Sequence, residues 1–539
     1  MPKKLEGMPT LGQTLQKLRD PHIKPNSSLQ FRLTGVFVIF NLIYSCMRKL
    51  KFSLLIFFTL LILVIQLKVY GQSHSYSQEV QERILKVEKS LAGTIRIKGE
   101  PLWSLMDRMQ YYKVMGLSIA VVNNYQIEWA KGYGYADITE KCFVTTNTLF
   151  QAGSVSKSLN ALGVLKLVDD KKIDLNTDIN AYLNSWKFNY DSISNGKKIT
   201  PVQLISHTSG LSIWGFDGYD RGNNIPTIVE ILEGKKPANS PPIHSMFEPG
   251  LKFQYSGGGT TVSQLMIADV ARMNYDNFML DNVLKPIGMT NSFFGTPKTS
   301  VKSQSLAAAY SPVGAELPGK YKIHPEMAAA GLWTTPTDIS KFIIESQLSY
   351  EGRSNKVLSK ETTRLMLDPY VVTNNTTLPK KGSLGVFINE ENGKRYFLHK
   401  GGNAGFVCIY YGSMEGGKGV AVMINSNNDK ILQEVVNSVS QAYEWDGFYT
   451  PIIKELNPVG DTVLESYVGN YEFAPNVILT IRKVGDHLQA KATGFKEFEV
   501  FPETENKFFA KDFNAEIEFL KDDENKVYGL KYGLNGDND

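Results

Sequence analysis

Phe150-Gln151-Ala152-Gly153-Ser154-Val155-Ser156-Lys157 is the stretch whose reading decides the fold. It runs into an apolar-periodic segment ending at Val168. There Leu159, Leu162, Leu165 and Val168 recur at three-residue steps, so the spacing predicts a helix. Ser154 and Lys157 stand three apart at its start and project from the same side of the first turn. A serine hydroxyl becomes a nucleophile when a neighbouring base takes its proton, and a neutral amine one turn away can do so. The unpaired N–H groups and positive dipole end of a helix N-terminus favour a developing oxyanion and depress the lysine pKa. Alone the pattern is weak, because a capped helix with an exposed lysine looks the same.

Outward from this stretch, 539 residues predict two or three units, and a composition 42% hydrophobic and 21% charged is globular. The net charge of +4 misleads, since residues 1–71 hold ten Lys/Arg and two Asp/Glu. The remainder carries 48 basic against 52 acidic side chains, which gives no argument for nucleic acid. Met47-Arg48-Lys49-Leu50-Lys51, then the apolar Phe52 to Ile65, then Val69-Tyr70-Gly71 read as a signal peptide over 47–71, with Gln72 as first mature residue. The protein is therefore expected in the periplasm or medium, a retained N-terminal anchor being the alternative. Residues 1–46 read as an upstream extension of the reading frame. Cys142 and Cys408 are the cysteines of the mature chain, too few for a disulfide framework; two buried thiols are expected, with pairing in an oxidising periplasm as the alternative. Seven scattered histidines without a ligand spacing predict no metal, and no organic cofactor is expected either.

Along the mature chain, helices are predicted over 76–92 and 101–114, and a hairpin from Leu117–Val122 and Ile127–Ala130. Residues 158–300 are mostly helix and loop. Thr335-Pro336-Thr337-Asp338 opens another helix with a threonine cap and proline in the first turn. Strands return at 384–388, 395–399, 404–411 and 418–424, before a helix over 429–444. Strands at both ends with helices between predict an α+β fold, an antiparallel sheet flanked by helices plus a mostly helical region, over 72–450. Pro451 to Asp461 reads as a linker. Beyond it, 462–539 alternates in short strands (477–481, 487–492, 498–501, 507–510, 516–520, 527–530) that make a small antiparallel barrel.

Three further segments raise Ser154 above a chance match. Phe253-Gln254-Tyr255-Ser256-Gly257-Gly258-Gly259 sets a tyrosine before a glycine-rich turn expected to let backbone approach a ligand. His399-Lys400-Gly401-Gly402-Asn403-Ala404-Gly405-Phe406 sits where a strand reaches a break, and Ile205-Ser206-His207-Thr208-Ser209-Gly210-Leu211 is a helix end. Together they resemble the serine β-lactamase/penicillin-binding family, in its class C-like branch of esterases, D-alanyl-D-amino-acid peptidases and β-lactamases. Ser-x-x-Lys with a downstream Lys-Thr-Gly marks related enzymes. The resemblance runs from about 102 to 445. Pro286-Ile287-Gly288-Met289 and Ala329-Ala330-Gly331-Leu332-Trp333-Thr334-Thr335 look like framework segments. The C-terminal strands, entered through Tyr467-Val468-Gly469-Asn470-Tyr471, resemble an appended lipocalin-like domain.

The resemblance implies roles. Ser154 would be the acylated nucleophile, Lys157 its proton acceptor, and Tyr255 the group shuttling the proton to the leaving group and activating the deacylating water. The N–H groups of Ser154 and Gly402 would form the oxyanion hole. His399, Gly401 and Gly257 would face the substrate. Two departures stand out: Gly257 replaces the asparagine of Tyr-x-Asn, and His399 replaces the lysine of Lys-Thr-Gly. Histidine, mostly neutral at pH 7, is a poor partner for a substrate carboxylate. Lys400 cannot substitute, because the next side chain of a strand points to the other face. His207 reads as structural, with its ring bonded to nearby backbone. The Tyr111–Tyr112 pair and Trp333 read as packing.

The expected function is an exported serine hydrolase acting through an acyl-enzyme on esters or D-amino-acid amide and peptide bonds. Its partner is a small-molecule or peptide substrate, with membrane contact only through an uncleaved leader. β-Lactam hydrolysis is the alternative. Two others are a non-catalytic penicilloyl-binding sensor and a chain whose C-terminal barrel binds lipid or glycan.

Overall fold

The strands expected at the two ends of the 72–450 region join one sheet. Gly116–Asn123 pairs antiparallel with Gly419–Ile424 across some three hundred intervening residues, Ala120 facing Ala421. This computed structural model describes residues 76–298, 305–375, 377–494, 497–511, 513–534 and 537–538. The leader at 47–71, its cleavage point and residues 1–46 lie outside them. Ser77–Asp539 form one compact unit.

Among the described residues a nine-stranded antiparallel sheet has a fixed order. It runs Cys142–Phe143, Gln126–Asp137, Gly116–Asn123, Gly419–Ile424, Phe406–Ser413, Lys394–Asn403, Phe387–Glu391, Lys381–Gly382, Val371–Val372. Its central strands are buried on both faces, with Gly419–Ile424 and Phe406–Ser413 covered along their whole length. Pro336–Glu351 lies against one set of strands, while Lys430–Ala442 packs on the sheet and on Gln78–Lys89. The expected threonine cap is present, Thr335 Oγ1 accepting from Asp338 N at 3.1 Å, a bond worth about 1 kcal/mol. The helical region centres on Ser156–Asp169, Gly257–Ala271 and Met327–Ala330, which pack on one another.

Ser156–Asp169 is buried nearly all round, not only on its leucine face. Its polar residues are satisfied inside: Ser158 Oγ donates to Gly385 O at 2.8 Å, and Asn160 Nδ2 donates to Ser263 Oγ at 2.8 Å. A polar residue in a core helix survives where a partner waits, which periodicity cannot register.

Among the described residues the C-terminal strands form an eight-stranded meander in sequence order, from Gly469–Ala474 to Asp537–Asn538, around Leu479, Ile481, Leu488, Val500, Phe508, Ile517 and Phe519. Gly469–Ala474 is a strand that the sequence reading left as an entry signature. The linker is also structured in part: Ile452–Lys454 pairs in parallel with Ile95–Ile97. Ile95 and Ile97 bury against Phe509, and Lys454 ion-pairs with Glu503 and Glu516 at 2.8 and 2.5 Å. The meander is thus bound to the preceding unit by apolar contact and by a cation with two carboxylates. No helix among the described residues is long and apolar enough to cross a membrane. No group of three or more His, Cys, Asp or Glu among them could hold a metal ion.

Leu105–Tyr111 is fastened to Lys430–Ala442 by a buried ion pair. Arg108 Nε donates to Glu434 Oε2 at 2.7 Å, Tyr112 donates to the same carboxylate at 2.7 Å, and Trp103 lies 3.7 Å from the guanidinium. Both side chains are under one-tenth exposed. Removing one member strands a buried charge, so Glu434→Ala should cost about 3–5 kcal/mol and lower the melting temperature by several degrees. The double change Arg108→Met/Glu434→Leu should recover most of that loss. A single variant that melts with the wild type would contradict the assignment.

Candidate active site

Ser154 sits in a tight turn, Gly153–Val155, immediately before the Ser156–Asp169 helix. The turn exists because Gly153 adopts φ +48° and because nothing projects from it: a Cβ there would lie 2.6 Å from Gly402 N. The facing strand is equally bare. A Cβ on Gly401 would stand 1.9 Å from Ala152 O and 3.0 Å from Ser154 N. Backbone therefore meets backbone, and the Ser154 turn lies along the strand that carries Gly402. That strand, Lys394–Asn403, does not break at His399 as expected but runs through to Asn403. Its pairing with Phe387–Glu391 ends at Leu398, leaving one edge for the turn. Asn403 Nδ2 clamps the junction by donating to Gln151 Oε1 at 2.8 Å and Ala330 O at 3.1 Å. Beneath it the Cys408 thiol, pushed up to about 12 by burial, donates to Ala152 O at 3.2 Å. Both cysteines are free, and Cys142 is only half-buried, contrary to the expectation of two buried thiols.

Lys157 Nζ lies 3.0 Å from Ser154 Oγ and 2.8 Å from Ala329 O. The side chain is 3% exposed, and burial pushes its pKa down to about 7. Desolvation is the cause, where the sequence argument invoked the helix dipole. Tyr255, just before the Gly257–Ala271 helix, places its ring 5.0 Å from Lys157 Nζ. Burial raises the Tyr255 pKa, offset by a hydrogen bond with Ser154. The structure thus brings Ser154, Lys157 and Tyr255 together.

His207 is structural in its bonding, as expected, its Nδ1 accepting from Ser256 N at 3.2 Å. Its ring, 4.4 Å from that of Tyr255, also backs the tyrosine, a contact spacing alone could not reveal. His399 is 2% exposed beside the same tyrosine, ring centroids 6.3 Å apart. Its Nδ1 donates to Lys400 O at 2.7 Å, so Nε2 carries the lone pair, and that atom is buried with no partner among the described residues. Burial and the nearby Lys157 hold it neutral, at about 3. Lys400 points away, as expected, to an ion pair with Asp429.

Gly257, Gly258 and Gly259 do not form a ligand-approach turn. They are the buried first residues of a helix capped by Ser256, whose Oγ accepts from Gly259 N at 2.8 Å. What approaches them is protein: a Cβ on Gly257 would lie 2.9 Å from Trp214 O. Gly257 is therefore not open to substrate, and an asparagine there would collide with that carbonyl. Trp333 is core, stacked among Phe293, Tyr321 and Phe406, whereas Tyr111 is 64% exposed.

The sequence reading missed His324 and Glu326, on the segment that delivers Ala329 O. Both are buried, and the polar atoms of their side chains have no hydrogen-bond partner among the described residues. Burial moves His324 down to about 4 and Glu326 up to about 7. No pattern marked them, because their setting is made by distant loops: Gly218 packs directly on the His324 ring.

These contacts separate the two glycines of the strand. Gly401→Ala should displace the Ser154 turn and abolish activity, whereas a Cβ on Gly402 meets nothing closer than Phe406 O at 3.8 Å. Gly402→Ala should keep the wild-type melting temperature. Equal losses of stability in the two variants would rule out this packing.

Comparison with known proteins agrees with the geometry. The Beta-lactamase family model matches residues 105–435, and a domain of unknown function (DUF3471) matches residues 455–536. Protein flp of Staphylococcus aureus (strain MRSA252) is 28% identical over 234 residues, 42% of this chain and 43% of its own length. The chain thus covers less than half of that relative. Penicillin-binding protein 4* of Bacillus subtilis (strain 168) is 22% identical over 421 residues, 72% of this chain and 86% of that protein. In fold, the chain is similar to the octameric penicillin-binding protein homologue from Pyrococcus abyssi (TM-score 0.55, 20% identity, 80% of this chain and 97% of that one). It is also similar to the D-amino acid amidase from Ochrobactrum anthropi SV3 (TM-score 0.53, 20% identity, 67% and 99%). The chain belongs to the β-lactamase family.

Proposed function

We propose that the protein is an exported serine hydrolase that forms an acyl-enzyme with esters or with D-amino-acid amides. The observation that carries this reading is the 3.0 Å approach of Lys157 Nζ to Ser154 Oγ, with burial holding the amine near pH 7. A neutral lysine there is a base at working pH, as nucleophile activation requires. In this reading Ser154 Oγ attacks the substrate carbonyl and its proton passes to Lys157. The oxyanion is held by the N–H groups of Ser154 and Gly402. Tyr255 donates its proton to the departing alcohol or amine and takes up the proton held by Lys157, so both groups return to their neutral forms. Water then enters by the same route reversed and releases the acid.

His399 supports the ester or amide side over the β-lactam side. A buried neutral ring that offers only an acceptor has nothing to hold a penicillin carboxylate or a C-terminal carboxylate. It accepts from a hydroxyl, amide or ammonium donor instead. The D-amino acid amidase likeness in fold fits a substrate without a free carboxylate. The hydrolase unit is assigned to 72–450 and the C-terminal domain to 462–539. Export rests on the charged and apolar leader at 47–71. N-terminal sequencing of protein from the native host should begin at or near Gln72; a Met47-started chain in the membrane fraction would mean an anchor.

Ser154→Ala should lower turnover of a p-nitrophenyl ester by about three decades, because residual oxyanion stabilisation is modest. A fluorophosphonate should label the wild type at Ser154. Since Lys157 must be neutral to act, wild-type kcat/KM should fall about tenfold per pH unit below about 7 and level off above it. Label mapped to another residue, or a flat profile between pH 5.5 and 8, would defeat the reading.

A further inference from the structure

The segment from Ser212 to Tyr219 roofs the site, and nothing in its composition marks it. Its two ends are fastened. At one end Gly257 N donates to Trp214 O and Gly258 N to Ile213 O, each at 3.1 Å, while Ser256 Oγ donates to Ser212 O at 2.9 Å. At the other end Tyr219 and Ile323 exchange backbone hydrogen bonds of 2.8 Å. Between them the chain bends at Ile213, which adopts φ +68°. A β-branched residue in the left-handed region is strained and persists only where surrounding contacts enforce it. Here the enforcing contacts are the first N–H groups of the Gly257–Ala271 helix, groups a helix leaves unpaired.

The strained bend lays the Trp214 ring on Tyr255, ring centroids 4.6 Å apart and tilted by 41°. The Tyr255 ring lies 5.0 Å from Lys157 Nζ, which is 3.0 Å from Ser154 Oγ, so the indole stands one ring away from this pair. Unlike the buried groups around it, Trp214 is 52% exposed. An indole held over a reactive tyrosine with half its surface in water is unfinished packing, and an apolar group of the substrate completes it. Glycine at 257 belongs to the same device. Any side chain there meets the Trp214 carbonyl at 2.9 Å and the Phe216 ring at 3.3 Å. The position that an amide side chain occupies in the family pattern is given over to the roof.

We infer that Trp214 is a specificity-determining residue that selects substrates carrying an aromatic or large apolar group next to the scissile carbonyl. The inference rests on the serine-hydrolase reading above. Ring stacking adds to the gain from the apolar area it buries, so a roughly tenfold preference is the expected scale.

The test uses the mature chain and two pairs of uncharged esters. One pair varies the acyl side at a fixed leaving group (p-nitrophenyl phenylacetate against p-nitrophenyl acetate). The other varies the leaving side at a fixed acyl group (benzyl acetate against ethyl acetate). In at least one pair the wild type should favour the aromatic member about tenfold in kcat/KM. Trp214→Ala should erase that preference, chiefly through KM, and Trp214→Phe should keep most of it. Gly257→Ala, which pushes the roof aside, should lose the preference as Trp214→Ala does. No wild-type preference in either pair, or a Trp214→Ala variant in which both members of each pair fall equally, overturns the inference. Fluorophosphonate labelling of wild-type Ser154 separates the two readings. Label at Ser154 with an unmoved ratio sinks only the role of Trp214, whereas label elsewhere sinks the hydrolase reading beneath it.

Discussion

Everything in the site depends on two stretches of bare backbone touching: Gly153 against Gly402, and Gly401 against Ala152 and Ser154. Cβ atoms on both sides would collide with the facing backbone and hold the serine turn away from the sheet edge. With glycine there, the turn that presents Ser154 and the strand that carries Gly402 become one surface. The surrounding bonds read as reinforcement of that contact. Asn403 ties the strand to Gln151 and Ala330, and Cys408 supports the carbonyl of Ala152.

Burial then does the electrochemistry. Lys157, His399 and Tyr255 are all covered, and in each case desolvation is the largest cause of the shift. One cause has the same consequence for all three, since a low-dielectric setting favours every neutral form. The result is a neutral amine near pH 7, a neutral imidazole and a neutral phenol around one hydroxyl. No carboxylate among the described residues pairs with Lys157, and such a partner would have raised the pKa that burial lowers. The neighbouring Glu326 follows the same rule from the other side, moved up to about 7 because its carboxyl lies buried without a partner.

The meander at the C-terminal end is attached differently. Ile95–Ile97 and Ile452–Lys454 make a short parallel ladder, Phe509 closes on the two isoleucines, and Lys454 reaches Glu503 and Glu516. The contact joins a strand before the nine-stranded sheet to one after it. The meander is thereby fixed to both ends of the larger unit at once.

The sequence by itself determined the parts whose signals are local. Ser154 and Lys157 project together because three residues make nearly one turn, and Thr335 with Pro336 opens a helix because capping is decided within four residues. Alternating strands declared the C-terminal sheet, and Lys400 points away from His399 because a strand alternates. What only the tertiary structure decided are the features made by residues far apart. The Lys157 pKa is set by burial rather than by the helix end. Gly257 admits a neighbouring loop rather than a ligand, because Ser212–Tyr219 folds onto it from forty residues away. The strand does not break at His399, because Phe406–Ser413 pairs with it as far as Asn403. His324, Glu326 and Trp214 carried no pattern at all. Their properties come from being covered, or left half-covered, by chain that is distant in sequence, and no local spacing encodes that.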